Sequence, residues 1–114
     1  MRPDQATLVD LHRAASLALR FTEGCDRGAF LIDAKTQAAV PHELLVIGEA
    51  AKRLSQTFRD AHPDIPWRAM GGMRDKLIHA YDAVDIEEVW KTLRADVPAL
   101  LAFLTPLVKP EDRP

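Results

Sequence analysis

Apolar residues return along this chain at steps of three and four, with no strand-like alternation anywhere. The longest series is Thr36, Val40, Leu44, Ile47, Ala51, Leu54 and Phe58, spaced four, four, three, four, three and four. That period stacks side chains on one face of an α-helix. A second series (Leu8, Leu11, Ala15, Ala18, Leu19) is interleaved with Asp10, Arg13 and Arg20, and a third runs through Ile86, Val89, Leu93, Val97, Leu100, Leu101 and Leu104. Chains with such stripes fold by burying them against one another, so the expected fold is all-α, an up-and-down bundle of about four or five helices. The 114 residues suit one domain spanning 1–114, burying roughly two thirds of its unfolded surface.

Local signals place the boundaries. Pro3 and Asp4 suit the start of a first helix running to Thr22, and Gly24 suits its end. Within Asp26 to Ile32, a helical turn at Ala29–Ile32 is expected to plug the core. Asp33 is the N-cap expected for a second helix reaching about Ala61. Pro41 lacks a backbone donor and crowds the preceding turn, which predicts a kink or break near Ala38–Pro41. Ile47–Ala51 is a small-residue stretch that lets a neighbouring helix come close, and its one acid, Glu49, either bonds that neighbour or water, or serves an active groove.

His62–Pro66 reads as a linker with two prolines. A third helix follows from Trp67 to Ala80, with its regular part starting near Gly72, because Gly71 and Gly72 each cost about 1 kcal/mol relative to alanine. Asp85 with Glu88 forms a capping-box pattern for the last helix. Pro98 is expected to kink it and Pro106 to end it by about Leu107, leaving 109–114 as a frayed tail.

Composition narrows the function classes. The formal net charge of -2 gives no global basic field for nucleic acid, so any such binding must be local. Cys25 is the only cysteine, which excludes an internal disulfide and a cysteine-based metal cluster. His12, His42 and His62 fall on different segments with no i, i+4 ligand pair, so no metal is expected. Trp67 and Trp90 read as core or interface anchors, Met70 and Met73 as gap fillers. No stretch approaches the roughly 20 apolar residues of a membrane span, and the N-terminus lacks the apolar run of a signal peptide. The chain therefore reads as cytoplasmic.

Chemistry concentrates in Met73–Tyr81, which holds an arginine, an acid, a histidine and the only tyrosine. On a helix, Asp75 and His79 are four apart and lie one above the other, with Asp82 continuing the column. A carboxylate beside an imidazole raises its pKa from about 6.5, useful for proton transfer near neutrality. Arg74 and Tyr81, two turns apart, share another face, while Arg74 and His79 diverge by about 140°. Arg74 must therefore reach around the helix, or a second subunit must supply the partner group. Arginine can hold a phosphate bidentately and histidine can shuttle protons at the sugar oxygens, with the 2′-hydroxyl of RNA as nucleophile. Lys52, Arg53 and Arg59 on one helix, with Arg68, Arg74 and Lys76 on another, form a local basic surface if the two helices are neighbours.

The spacing Arg74, four residues, His79, one residue, Tyr81 resembles the signature of the HepT-like ribonucleases of the HEPN superfamily. The flanking text is similar too: Asp33–Val40, Ile47–Ser55, Ile65-Pro66-Trp67, Gly72–Asp75 and Val84-Asp85. The resemblance implies a HEPN-like helical homodimer, the toxin of a type VII-like two-gene toxin–antitoxin system, acting as an endoribonuclease without metal or cofactor. It implies catalysis by Arg74 and His79 in a groove at the dimer interface, with Asp75 assisting; many members have asparagine there. It also implies a minimal nucleotidyltransferase antitoxin that adds AMP to Tyr81, whose bulk and charge would keep RNA phosphate from Arg74. Lys52, Arg53 and Lys76 are weaker RNA-binding candidates. Two alternatives stay open: an inactive HEPN-type dimer that binds a nucleotidyltransferase or a nucleotide, and a helical dimer in which Arg74 and His79 are structural.

Overall fold

A computed structural model describes residues 3–79 and 83–114. Among them every regular element is helical: α1 (Asp4–Phe21), α2 (Arg27–Phe30), α3 (Ala34–Arg53), α4 (Gln56–Ala61), α5 (Trp67–His79), α6 (Ile86–Ala95) and α7 (Val97–Leu104), followed by short 3-10 turns at Thr105–Leu107 and Pro110–Asp112. The expected all-α bundle is what the chain forms. Among the described residues no helix is long and apolar enough to cross a membrane.

α3 is the central helix, packed between α1 and α5, with α7 against α1 and α6 bridging α7 and α3. Its stripe is the core: Val40, Leu44, Ile47, Ala51 and Leu54 are at most 3% exposed, facing Leu11, Ala15 and Ala18 of α1. α1 ends through Gly24, whose φ of 73° is a left-handed value that glycine adopts without steric cost. Asp26 caps α2 by accepting from the Ala29 N–H, and Phe30 is fully buried against Trp90, their rings 5.1 Å apart. Only Phe30 of that segment plugs the core fully; Ile32 is 86% exposed.

Two expected breaks fall elsewhere. α3 runs unbroken through Pro41, and the interruption comes at Leu54–Ser55. An internal proline costs about 3 kcal/mol, and fully burying each of Val40, Leu44 and Ile47 returns about 2 kcal/mol, so packing on both sides of Pro41 outweighs it. At Ser55 the chain has a better reason to turn. Its hydroxyl accepts from the Phe58 N–H as N-cap of α4, while its own N–H and hydroxyl donate to the Asp4 carboxylate at 2.9 and 2.7 Å. The Ser55 hydroxyl, and secondarily its amide, hold the Asp4 carboxyl below the usual range. Likewise α5 begins at Trp67 and passes through Gly71–Gly72 without a break. Trp67, Met70 and Leu77 are buried around the pair, and the Trp67 indole donates to the His62 carbonyl at 3.0 Å.

Asp85 caps α6, accepting from the Glu87 and Glu88 N–H groups, but the Glu88 carboxylate accepts from Lys76 Nζ of α5 at 2.9 Å. The expected last helix is two, meeting at Asp96, with Pro98 in the first turn of α7 where its missing donor costs nothing. Arg113 donates to the carbonyls of Val108 and Thr105 at 3.0 and 2.7 Å.

His12 lies buried beneath this C-terminal turn, its Nε2 3.3 Å from the Thr105 hydroxyl. Burial, and then the charge of Arg113, push its pKa below 6.5. The unfolded chain therefore binds a proton there more readily than the folded one, and stability should fall as pH drops below about 6.5. Asp4 and Asp75 titrate below 3.8, and burial raises Glu43 above 4.5, which adds stability rather than removing it as pH falls. A drop in melting temperature between pH 7.5 and 5.5 should therefore report His12. His12→Gln should flatten that slope; an unchanged slope would refute the assignment.

Candidate active site

The site is built where α3 and α5 come closest. Gly48 of α3 faces Met70 and Arg74 of α5 so tightly that a Cβ placed on it would lie 2.3 Å from Arg74 Cβ and 2.6 Å from the Met70 carbonyl oxygen. The Ile47–Ala51 stretch thus permits the approach expected of it. Gly71, one turn earlier on α5, lies against the aliphatic stem of Lys52, while a Cβ on Gly72 would meet nothing within 4 Å.

This contact aims Arg74 across the interface. Its Nη2 donates to Glu49 Oε1 at 2.8 Å and its Nη1 to Asp75 Oδ1 at 3.0 Å, leaving the side chain 24% exposed. Its Nε, shut off from solvent, donates to no described residue. Asp75, and after it Glu49, stabilise the guanidinium and raise its pKa further. Of the two readings open for Glu49, the bond to the neighbouring helix is the one formed, and it falls on the candidate catalytic arginine.

Asp75 Oδ1 also accepts from Lys52 Nζ at 2.6 Å, so one oxygen sits between two cations on two helices. Lys52, and then Arg74, lower the Asp75 pKa below 3.8. The expected Asp75–His79 pairing is therefore not formed. A carboxylate next to an arginine and opposite a lysine gains more from two cations than from one imidazole. The His79 ring is exposed at the end of α5 and makes no hydrogen bond among the described residues. No described contact joins it to Arg74, in keeping with their divergence on the helix. Tyr81 and Asp82 lie outside the described residues.

The basic candidates separate. Lys52 belongs to the Asp75 array, Lys76 pairs with Glu88 on the α6 side, and Arg53 is exposed at the end of α3. Lys52 and Asp75 line an open groove of about 660 Å³ between α4 and α5, whose other walls include Gln56, Arg59, Asp60, Trp67 and Arg68. The link from Glu49 through Arg74 and Asp75 to Lys52 escapes reading by spacing, because its two acceptor–donor pairs are 25 and 23 residues apart.

A family model described as ribonuclease HepT-like matches residues 11–107. The chain is 48% identical over 93 residues to "Probable ribonuclease HepT" of Thermococcus cleftensis, covering 82% of this chain and 84% of that one. It is 36% identical over 105 residues to a candidate RNase of Methanocaldococcus jannaschii, covering 92% and 87%. A candidate RNase of Caldanaerobacter subterraneus is 41% identical over 71 residues, 62% of this chain and 63% of that one. No solved structure matches. A match over most of the chain, with an all-helical core and Arg74 and His79 on one helix, shows that this protein belongs to the HepT-like ribonucleases of the HEPN superfamily.

Proposed function

We propose that this ribonuclease cuts within RNA strands without a metal, using Arg74 and His79, with Asp75 assisting. The observation that carries the reading is Arg74 itself, aimed by Glu49 of α3, on the same helix α5 that presents His79 to solvent. The 2′-oxygen bonds to the adjacent phosphorus as the bond to the 5′-oxygen breaks, and the proton lost from the 2′-hydroxyl is matched by one delivered to the leaving oxygen. Arg74 stabilises the charge developing on the phosphate, and His79 moves the proton.

Arg74 and His79 diverge, so the working groove belongs to a homodimer in which each copy completes the other. Ile78, 38% exposed beside His79, gives a second copy an apolar side chain to cover. Lys52, Arg53 and Lys76 contact the RNA backbone. In this reading the protein is a cytoplasmic toxin, silenced when a minimal nucleotidyltransferase antitoxin places AMP on Tyr81, seven residues after Arg74 in the sequence.

The test is cleavage of single-stranded RNA by the purified protein in excess chelator. Products should carry 2′,3′-cyclic phosphate and 5′-hydroxyl ends. RNA left intact at high protein concentration would overturn the reading in favour of an inactive binding module. After co-expression with the antitoxin, intact mass should rise by whole AMP units and stay unmodified in Tyr81→Phe.

A further inference from the structure

Lys52 Nζ and Arg74 Nη1 converge from two helices on one point, at 2.6 and 3.0 Å, and the atom at that point is an anionic oxygen of the protein's own Asp75. Two cations sharing one oxygen is the arrangement a phosphate oxygen would meet. Neither cation is sealed away: the side chains of Lys52, Asp75 and Arg74 are 42%, 46% and 24% exposed. An ion pair this exposed contributes little to stability, so opening it costs little. Lys52 and Asp75 also line the α4–α5 groove, whose walls carry Arg59 and Arg68 and one further acid, Asp60. On α5, Arg68, Gly72, Asp75 and His79 follow one another at steps of four, three and four and share a face, a path of about 16 Å. Gly72 leaves that face open, since nothing lies within 4 Å of where its side chain would begin.

We propose that Lys52 and Arg74 form a two-cation phosphate site whose resting occupant is the Asp75 carboxylate, and that an RNA strand in the α4–α5 groove displaces it. The inference rests on the ribonuclease reading for its choice of ligand. Lys52 becomes a phosphate-binding residue. Asp75 acts as an internal anion that must swing aside before Arg74 can engage RNA. Glu49, bonded to the other guanidinium nitrogen, keeps Arg74 aimed while Asp75 moves.

The distinguishing feature is opposite signs at adjacent positions. The probe is a short, uncleavable 2′-O-methylated oligoribonucleotide of mixed sequence, its binding followed by fluorescence anisotropy over a range of salt concentrations. Asp75→Asn frees both cations and should tighten binding several-fold, steepening the dependence of log K on log salt by about 0.7, the value for one added phosphate contact on a single strand. Lys52→Gln should weaken binding about tenfold and make the slope shallower by a similar amount, and Lys52→Arg should restore it. A role for Asp75 only in holding Arg74 in place predicts weaker binding by Asp75→Asn, and that result would overturn the proposal. So would Lys52→Gln binding as wild type, or no detectable binding by the wild-type protein. Because the probe cannot be cut, these outcomes are separate from the cleavage test: the expected shifts without catalysis would refute the ribonuclease reading and leave the phosphate site standing.

Discussion

His79→Ala is expected to lower kcat/KM for RNA by about 10² to 10⁴-fold, the contribution of a positioned general acid or base, while leaving the melting temperature of the protein unchanged. The two halves have separate physical origins. The ring is exposed at the last turn of α5 and bonds to no described residue, so removing it opens no cavity and strands no buried partner. Its loss falls on proton transfer alone. Measured against the wild-type protein in chelator, activity retained within a few-fold would sink His79 as the proton carrier. A large drop in melting temperature would instead show a structural histidine.

Gly48→Ala should destabilise the fold, although helix propensity points the other way. Alanine in place of a mid-helix glycine gains up to about 1 kcal/mol. Against that gain, the new methyl would sit 2.3 Å from Arg74 Cβ and 2.6 Å from a backbone carbonyl oxygen, and neither is the far end of a flexible chain. α3 and α5 must separate, and overpacking of this kind costs about 1–3 kcal/mol or more. We expect a net loss of about 2 kcal/mol, read as a fall in melting temperature of roughly 8 °C for a domain of this size. Gly72→Ala is the matched control on the facing helix: with nothing within 4 Å, it should stabilise. Gly48→Ala should also lower RNA cleavage beyond what unfolding explains, because shifting α5 moves Arg74 off Glu49, and a misplacement of about 1 Å can cost 10²-fold. If Gly48→Ala and Gly72→Ala stabilise alike, the close approach is not what places Arg74.

Much of the fold was legible because helix burial repeats in the chain. The stripe from Thr36 to Leu54 is the buried face of α3, and Asp33 and Asp85 cap their helices as their residue types suggest, while the short turn expected at Ala29–Ile32 forms two residues earlier, at Arg27–Phe30. Boundaries were less legible where local and global terms compete. Pro41 and Gly71–Gly72 carry local penalties of only a few kcal/mol, smaller than the burial on either side of them. Ser55 lacked a strong local mark, and its break depends on Asp4, 51 residues away. The candidate site shows the same division. Arg74, Asp75 and His79 stand out by type and spacing, but the Asp75–His79 pair inferred from that spacing yields to Arg74 beside it and to Lys52 on another helix.

By itself the sequence determined that the chain is helical, which faces are buried, and that Arg74 and His79 point different ways from one helix. Those properties depend on neighbours three and four residues apart, which the helical repeat exposes. Tertiary structure alone decided that Glu49 would orient Arg74 and that Asp75 would lie between Arg74 and Lys52. Both depend on the register of α3 against α5, set where Gly48 lets two backbones meet. No periodicity within one helix carries that register, because it is a property of the packed pair.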